Sequence, residues 1–296
     1  MKENTFMAYF MKKRQNYIKI LMLSFCFSLV LACNGTKPTD GKIIPISREE
    51  GSGTRTAFVE LFDVIDSNKR DIITINAEIT NNTAVMISSV ETNKRAIGYV
   101  SMGSMSDVVK AAKIGGVVAN AENVTNGTYE IFRPFIIVTK YGLSDLANDF
   151  VKFILSTNGQ NIVNKNGYIS INETEIFVPS SISGKIVVAG SSSVAPIMEK
   201  LKEAYLKINP NATIEIQTSD SSTGVKNVEN EICDIGMSSR TLKPSELEKG
   251  LNPTTIALDG IVIVVNKLNP LDNFTKEQIK SIFMGTTTKW SDVNND

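Results

Sequence analysis

The chain has 296 residues, 42% of them apolar, which is enough to bury a substantial core in two lobes or domains of ordinary size. Basic and acidic residues balance at 31 each, so the charge gives no case for nucleic-acid binding. Histidine is absent, which removes the usual general base, the catalytic triads that need it and the commonest metal ligand. We therefore expect no metal site, no cofactor and no enzymatic activity.

The N-terminus has the features of an export signal. Basic residues precede an apolar run from Ile20 to Ala32, and the end of this run, Leu29 to Cys33, resembles the lipobox of bacterial lipoproteins. In such signals the cysteine is lipidated, so residues 1–33 are expected to form the signal and residues 34–40 a polar tether. The body of the chain is then anchored outside the cytoplasmic membrane. The alternative is an uncleaved membrane anchor, for which the apolar run is short.

The stretch Ser47 to Arg55, with the sequence SREEGSGTR, joins a short β-rich run to a helical pattern. Gly53 allows close approach of the backbone to a ligand, and Ser52 and Thr54 can cap the helix. The free N–H groups of a helix N-terminus, together with the planar donors of Arg48, suit an oxyanion. The alternative interpretation is an ordinary glycine-rich turn before a capped helix.

Apolar patterns predict the next elements along the chain. Strands are expected at Ile72 to Ile79, Ala96 to Val100 and Phe132 to Val138. One helix is expected to open within Asn81 to Ala84, and another to cover Leu146 to Leu155. The serine-rich segment Pro179 to Gly184 is the clearest linker.

Beyond this linker, strand patterns end repeatedly in turns rich in hydroxyl groups. These turns are Gly190 to Ser193, Ser219 to Gly224 and Ser238 to Arg240. The continuous apolar run Ile261 to Asn266 is typical of a strand buried in a parallel sheet, and Thr275 begins a capping box. Alternating strands and helices predict an α/β fold, in which ligands bind at the carboxyl ends of strands.

Several motifs together resemble those of one family, the phosphate-binding lipoproteins of the phosphate-specific ABC transporter, within the type II periplasmic binding proteins. The motifs are Ser47 to Arg55, Ala96 to Ser101, Arg133 to Lys140, Gly159 to Ile169, Gly190 to Pro196, Ser221 to Lys226, Asp234 to Arg240, Ala257 to Gly260 and Phe283 to Trp290. The resemblance covers nearly all of the chain after the signal. It implies two α/β lobes joined by hinge strands, a phosphate ion bound between them, and delivery of phosphate to a membrane permease.

The order of these motifs differs from the family's usual order. The motif Gly190 to Pro196 normally lies near the start of the mature chain, and Ser47 to Arg55 normally follows Phe283 to Trp290. The chain therefore resembles a circular permutation of the family's fold, with residues 179–184 bridging the original termini. The alternative is a misassembled or truncated fragment of a tandem gene.

The resemblance also implies a division into lobes. One lobe is expected to combine residues 41–132 with 262–296, and the other to cover residues 133–261. We expect a monomer whose cleft closes over the ligand by hinge motion.

Roles carried over from the family place the phosphate contacts at Arg48, Ser52, Gly53, Thr54, Ser192, Ser193, Ser221 and Ser239. Glu50 matches the acidic residue that orients the arginine. Ser239 stands where the best-known members have an aspartate that accepts the proton of bound phosphate. Asp220 and Asp259 are candidate substitutes, and each has an alternative structural role as a loop cap or a strand-end carboxylate.

Three other functions remain open from the sequence. The chain could bind another tetrahedral oxyanion such as sulfate, since a serine at position 239 does not repel it. A serine hydrolase or phosphatase using Ser52 lacks the histidine, lysine or metal ligands that such chemistry needs. The third alternative is a surface protein that keeps the fold and has lost the ligand.

Overall fold

The computed structural model describes residues 41–171 and 175–293. The predicted signal peptide over residues 1–33, with its Cys33, and the tether over residues 34–40 lie outside the described residues. Among the helices of the described ranges, none is long and apolar enough to cross a membrane.

The strands in these ranges are β1 (Ile44–Arg48), β2 (Glu78–Thr80), β3 (Ala96–Ser101), β4 (Val109–Ala111), β5 (Lys113–Ile114), β6 (Phe132–Lys140), β7 (Gly184–Ser191), β8 (Ala212–Ser219), β9 (Ile235–Ser238), β10 (Leu251–Asn266) and β11 (Asn273–Phe274). The α-helices are α1 (Gly53–Leu61), α2 (Thr83–Thr92), α3 (Ala121–Thr125), α4 (Asp145–Leu155), α5 (Thr157–Lys165), α6 (Ala195–Ile208), α7 (Ser221–Glu229), α8 (Pro244–Leu247) and α9 (Lys276–Met284). Short 3-10 helices cover Met102–Ser104 and Trp290–Asp292.

A mixed sheet of nine strands runs through the molecule in the order β2-β1-β3-β10-β6-β9-β7-β8, with β4 also paired to β10. β1 is parallel to β2 and β3, and β7 is parallel to β8 and β9. The long strands β6 and β10 run antiparallel to each other between these two parallel groups. The predicted α/β class is confirmed, and the two crossing strands connect its halves.

The hydrophobic core is divided in the same way. Two clusters of buried residues come from residues 43–131 and 261–293, and two others come from residues 135–257. We refer to residues 41–131 and 261–293 as the β1 side, and to residues 132–260 as the β7 side. The predicted lobe boundaries fall close to this division, and the division into two hinged lobes stays a prediction.

The apolar run Ile261 to Asn266 forms the end of β10 and is antiparallel to β3 and β4, so the expectation of a parallel strand is wrong. The run is apolar because both faces are covered. Ile263 packs in the cluster that contains Phe58 of α1, and Val264 packs in the cluster that contains Met86 of α2. Burial on both faces explains the composition whatever the strand direction.

The strand expected over Ile72 to Ile79 is limited to β2 at its end. The residues before it form turns, in which Asp71 Oδ1 accepts from the N–H of Ile73 at 2.8 Å. Ile75 is fully exposed, at 99% of its surface. Side-chain acceptors that bond to nearby backbone groups compete with a strand ladder, which the apolar count alone does not show.

The other predicted elements are confirmed. Ala96 to Val100 lies in β3, Phe132 to Val138 in β6 and Leu146 to Leu155 in α4. Asn82 caps α2 by accepting from the N–H of Val85 at 2.9 Å, and Thr275 begins α9 with a capping box. Residues 179–183 of the predicted linker contain neither helix nor strand.

Candidate functional site

The carboxyl ends of four strands, drawn from both sides of the sheet, meet in one place. β1 ends at Arg48 and leads into α1, while β7, β8 and β9 end at Ser191, Ser219 and Ser238. Loops at the ends of parallel strands are where α/β folds bind ligands. We call the residues gathered here the cradle: Arg48, Ser52, Gly53, Thr54, Ser191, Ser192, Ser193, Ser221 and Ser239.

The guanidinium of Arg48 lies at the boundary between the two sides. Its Nε and Nη2 donate to the carboxylate of Glu49 at 2.9 and 2.8 Å, and Nη2 also donates to Ser192 Oγ at 3.1 Å. The Arg48 side chain is almost fully buried. A guanidinium held in this way presents a fixed planar set of donors, which suits an oxyanion.

Glu50, which the resemblance assigned to orient Arg48, is exposed, and the carboxylate that holds Arg48 is that of Glu49. The N–H of Glu49 donates to the carbonyl of Thr80 at 3.0 Å, so Glu49 stays in line with the strand. Glu50 instead begins the turn at Gly51 and is exposed. The assignment of this role to Glu50 is therefore wrong.

Hydroxyl groups connect the two sides directly. Thr54 Oγ1 and Ser193 Oγ are 2.8 Å apart, and Thr83 Oγ1 lies 3.3 Å from the same Ser193 hydroxyl. The carbonyl of Gly51 accepts from the N–H and the hydroxyl of Ser222 at 3.1 and 3.2 Å. Thr54, Thr83 and Ser193 are all buried, so these bonds lie away from bulk water.

A second hydroxyl network lies within the β7 side. Ser239 Oγ is 3.0 Å from Ser191 Oγ and 3.3 Å from Ser221 Oγ, and the Ser239 N–H donates to Ser221 Oγ at 3.0 Å. Gly53 of the β1 side faces this pair, since a Cβ there would lie 2.4 Å from Ser221 Oγ and 2.7 Å from Ser239 Oγ. Only a residue without a side chain fits between the two networks.

The N-terminus of α1 lies in the cradle. Ser52 is its N-cap, and its buried hydroxyl accepts from the N–H of Arg55 at 3.3 Å. The first turn of α1 contains no acidic residue. The N–H groups at this end, with the positive end of the helix dipole, favour a bound anion.

Tyr99 of β3 forms hydrogen bonds with the last two residues of β1. Its hydroxyl accepts from the Arg48 N–H at 3.1 Å and is 2.8 Å from Ser47 Oγ. The Tyr99 ring stacks on Phe58 with 4.0 Å between centroids, which links the cradle to the core. Burial raises the pKa of Tyr99 to about 12, so the hydroxyl keeps its proton at neutral pH.

Each of the four arginines around the cradle has a carboxylate partner: Arg48 with Glu49, Arg55 with Asp71, Arg133 with Asp259, and Arg240 with Glu246. The region therefore has little excess positive charge. Attraction for an anion must come from the direction of the N–H and O–H donors. No cluster of carboxylate and cysteine side chains in the described ranges could hold a metal ion.

The two candidate proton acceptors have structural partners. Asp220 caps α7, and its two oxygens accept from the N–H and hydroxyl of Thr223 at 2.9 and 2.6 Å. Asp259 is fully buried and accepts from Ser101 at 2.7 Å and from Arg133 at 3.2 Å. Burial raises the pKa of Asp259, although Arg133 and Ser101 act in the opposite direction. Neither carboxylate has a hydrogen bond to a cradle side chain in the described part of the chain.

A cavity of about 900 Å³ lies beside the cradle, between the β1 side and the β7 side. Its β1 wall includes Glu49, Asn82 and Thr83, and its β7 wall includes Ser192 and Asp220. The cavity therefore gives access to the cradle at Ser192.

The model of the PBP superfamily domain matches residues 29–158 and 179–296. The phosphate-binding protein PstS 2 of Streptococcus agalactiae serotype V is 44% identical over 291 residues, covering 95% of this chain and 99% of its own. The chain belongs to the PstS phosphate-binding proteins. The PstS of Staphylococcus saprophyticus is 38% identical over 118 residues, which is 38% of this chain and 37% of its own.

A solved structure of a phosphate-binding protein has the same fold. The crystal structure of a phosphate-binding protein of a phosphate ABC transporter from Streptococcus pneumoniae TIGR4 is 42% identical. It aligns with a TM-score of 0.68 over 86% of this chain and 100% of its own. The predicted α/β fold of the periplasmic-binding-protein type is thereby confirmed.

Sequence reasoning missed several residues in and around the cradle. Ser191 and Ser222 lie inside the quoted motifs, and Thr83 begins a predicted helix, so their hydroxyl groups were visible signals. Tyr99 and Glu49 also lie inside quoted motifs, but nothing in those motifs indicates their contacts with Arg48. Their roles depend on the pairing of β1 with β3 and β2, which the sequence does not specify.

Proposed function

We propose that this chain is an extracytoplasmic substrate-binding protein that binds inorganic phosphate in the cradle and delivers it to the permease of an ABC transporter. The observation that carries the proposal is the meeting of Arg48 with buried hydroxyls from four strand ends. These donors surround one small region from several directions, as recognition of a tetrahedral oxyanion requires.

Hydroxyl groups suit this ligand because each can donate to an ionised oxygen or accept from a protonated one. The assigned contacts are Arg48, Ser52, Gly53, Thr54, Ser192, Ser193, Ser221 and Ser239. Membership of the PstS family supports the same ligand, since the relatives are named for phosphate binding.

The cradle binds without chemistry. The whole sequence has no histidine, and the Ser52 hydroxyl is engaged as a helix cap, so no base is placed to activate it. The bound ion leaves unchanged when the two sides separate. In this proposal the chain is a monomer, lipidated at Cys33 and anchored on the outer face of the cytoplasmic membrane.

We also propose that the chain order is a circular permutation of the order found in other family members. The Streptococcus agalactiae relative aligns along 99% of its length, whereas the Staphylococcus saprophyticus relative aligns along 37%. When two related proteins have the same segments in exchanged order, a continuous alignment can follow only one of these segments. The short alignment with the Staphylococcus saprophyticus relative therefore supports two chain orders within the family.

The function is tested by isothermal titration calorimetry of residues 34–296 with phosphate. We expect saturable binding of one phosphate per chain, and a Kd raised about 100-fold in Arg48→Ala, because several hydrogen bonds to a charged group are lost. The matched control is Arg70→Ala, whose exposed side chain pairs with Asp66 and should leave the Kd unchanged. Absence of heat with phosphate in the unchanged protein would contradict the proposal.

A further inference from the structure

Glu49 is a carboxylate that faces both Arg48 and the cavity beside the cradle. Its oxygens accept from Arg48 at 2.8 and 2.9 Å, its side chain is 21% exposed, and it lines the cavity together with Ser192. A carboxylate has about four lone-pair sites. After the two bonds from Arg48, Glu49 can therefore accept further hydrogen bonds from a group in the cavity.

Phosphate brings such a group. At neutral pH inorganic phosphate carries at least one proton, whereas sulfate is fully ionised. A buried O–H needs an acceptor, and a carboxylate beside a sulfate oxygen would be repelled without a proton to share. A carboxylate in contact with the ligand can therefore separate the two anions.

The cradle hydroxyls cannot make this distinction. Ser239 and Ser221 can rotate to donate to an ionised oxygen as readily as they accept from a protonated one. Asp259 is buried behind the cradle with Arg133 and Ser101. Asp220 lines the cavity, but within the described residues it accepts from Thr223 and from no cradle donor. Among these carboxylates, Glu49 has the direct contact with a cradle donor.

We propose that Glu49 accepts the hydrogen bond from the protonated oxygen of bound phosphate and thereby excludes sulfate. The proposal rests on the proposed function. An anion that replaces Ser192 Oγ at Arg48 Nη2 lies next to Glu49, because the same Nη2 donates to both groups. Glu49 already balances the charge of Arg48. The repulsion between a fully ionised ligand and the Glu49 carboxylate is therefore not offset by a free positive charge on Arg48.

The test measures Kd for phosphate and for sulfate by calorimetry at neutral pH in the unchanged chain, in Glu49→Gln and in Glu49→Asp. Glutamine keeps the shape and an acceptor for Arg48 but removes the negative charge. We expect the preference for phosphate over sulfate to fall about tenfold or more in Glu49→Gln, the size of one hydrogen bond to a charged group. Glu49→Asp, which keeps a carboxylate, should retain most of the preference.

Glu50→Gln is the matched control, because it removes the same charge one position away on an exposed side chain. Its phosphate preference should equal that of the unchanged chain. Asp220→Asn tests the rival acceptor at the cavity wall. Unfolding midpoints of all variants, measured by circular dichroism, verify that each remains folded.

Two outcomes would contradict the proposed role of Glu49 and leave the proposed function intact. If Glu49→Gln raises the Kd for phosphate and the Kd for sulfate by the same factor, Glu49 only positions Arg48. If Asp220→Asn instead loses the preference for phosphate over sulfate, Asp220 is the acceptor. Binding of neither anion by the unchanged chain would contradict the proposed function itself. The two failures are therefore distinguishable.

Discussion

Gly53 is the residue at which the two sides of the molecule come closest. A Cβ at this position would overlap the hydroxyls of Ser221 and Ser239, at 2.4 and 2.7 Å, although Gly53 itself has no left-handed backbone. Glycine is therefore required at this position by the small space between the two sides, and not by the local backbone conformation.

For Gly53→Ala we expect weaker phosphate binding with little change in stability. The added methyl group separates the sides, and an overlap of this kind costs about 1–3 kcal/mol, or roughly 5- to 150-fold in Kd. Alanine is favourable in a helix, so the unfolding midpoint should stay within a few degrees. Calorimetry and thermal unfolding measure the two effects, and an unchanged Kd would show that Gly53 does not face the ligand.

Tyr99 gives a prediction for alkaline pH. Its pKa is raised by burial to about 12 in the folded chain, above the ordinary value of 10.0. A raised pKa means that the folded state holds the proton more tightly, so this stability is fully present below pH 10 and is lost as pH rises towards 12. Urea unfolding at pH 8 and 11 should show the loss.

The Tyr99→Phe variant separates this effect from other tyrosines. It removes the titrating group, so the decrease between pH 8 and 11 should be smaller than in the unchanged chain. At pH 8 the variant should be less stable by about 1–3 kcal/mol, because the buried Arg48 N–H loses its acceptor. The same pH slope in both proteins would contradict the assignment.

At the scale of an element, α1 combines a structural and a binding role in one cap. Ser52 accepts from the N–H of Arg55 within the cradle, whereas Ser144 caps α4 in the same way, by accepting from the N–H of Ala147 at 3.2 Å, on the β7 side. The two caps are chemically equivalent, and only the first lies beside the assigned ligand contacts.

The variants Ser52→Ala and Ser144→Ala should each lower the free energy of unfolding by about 1 kcal/mol, the usual value of an N-cap. Only Ser52→Ala should also raise the Kd for phosphate, because its hydroxyl is an assigned contact. Urea unfolding and calorimetry on both variants give the comparison. If the two variants have the same Kd for phosphate, Ser52 acts only as a helix cap.

Elements with local signals were predictable from the sequence. Capped helices such as α2 and α9 depend on side chains a few residues apart, and the hydroxyl turns follow directly from the motifs. The direction of β10 and the short extent of β2 depend on which neighbour each strand pairs with. The choice between Glu49 and Glu50 depends on where β1 ends, and adjacent glutamates look alike in a sequence.

For the molecule as a whole, the two ends of the described chain lie together. The N–H of Trp290 donates to the carbonyl of Gly41 at 3.3 Å, and Ile43 N–H donates to Thr288 at 2.8 Å. These contacts are those expected if residues 293 and 41 were once continuous. Chain ends that lie together allow a fold to be reopened elsewhere.

A rearranged gene tests this prediction. Residues 184–293 joined by a short flexible linker to residues 41–178 would restore the order proposed for the other family members. We expect a folded monomer with a phosphate Kd within a few-fold of the unchanged chain, since every cradle residue is kept. Gel filtration and calorimetry measure both properties. An aggregate or a chain without phosphate binding would contradict the permutation.

The hydroxyl bonds between the β1 side and the β7 side have a consequence for the heat of binding. Thr54 with Ser193, and Ser222 with Gly51, already satisfy one another. Each such bond contributes about 1 kcal/mol net, so an arriving anion exchanges hydrogen bonds of similar value where it displaces them. The heat of binding is then the difference between the hydrogen bonds that the anion forms and the hydrogen bonds that it displaces. The affinity therefore depends mainly on how much stronger hydrogen bonds to a charged anion are than those between neutral hydroxyls.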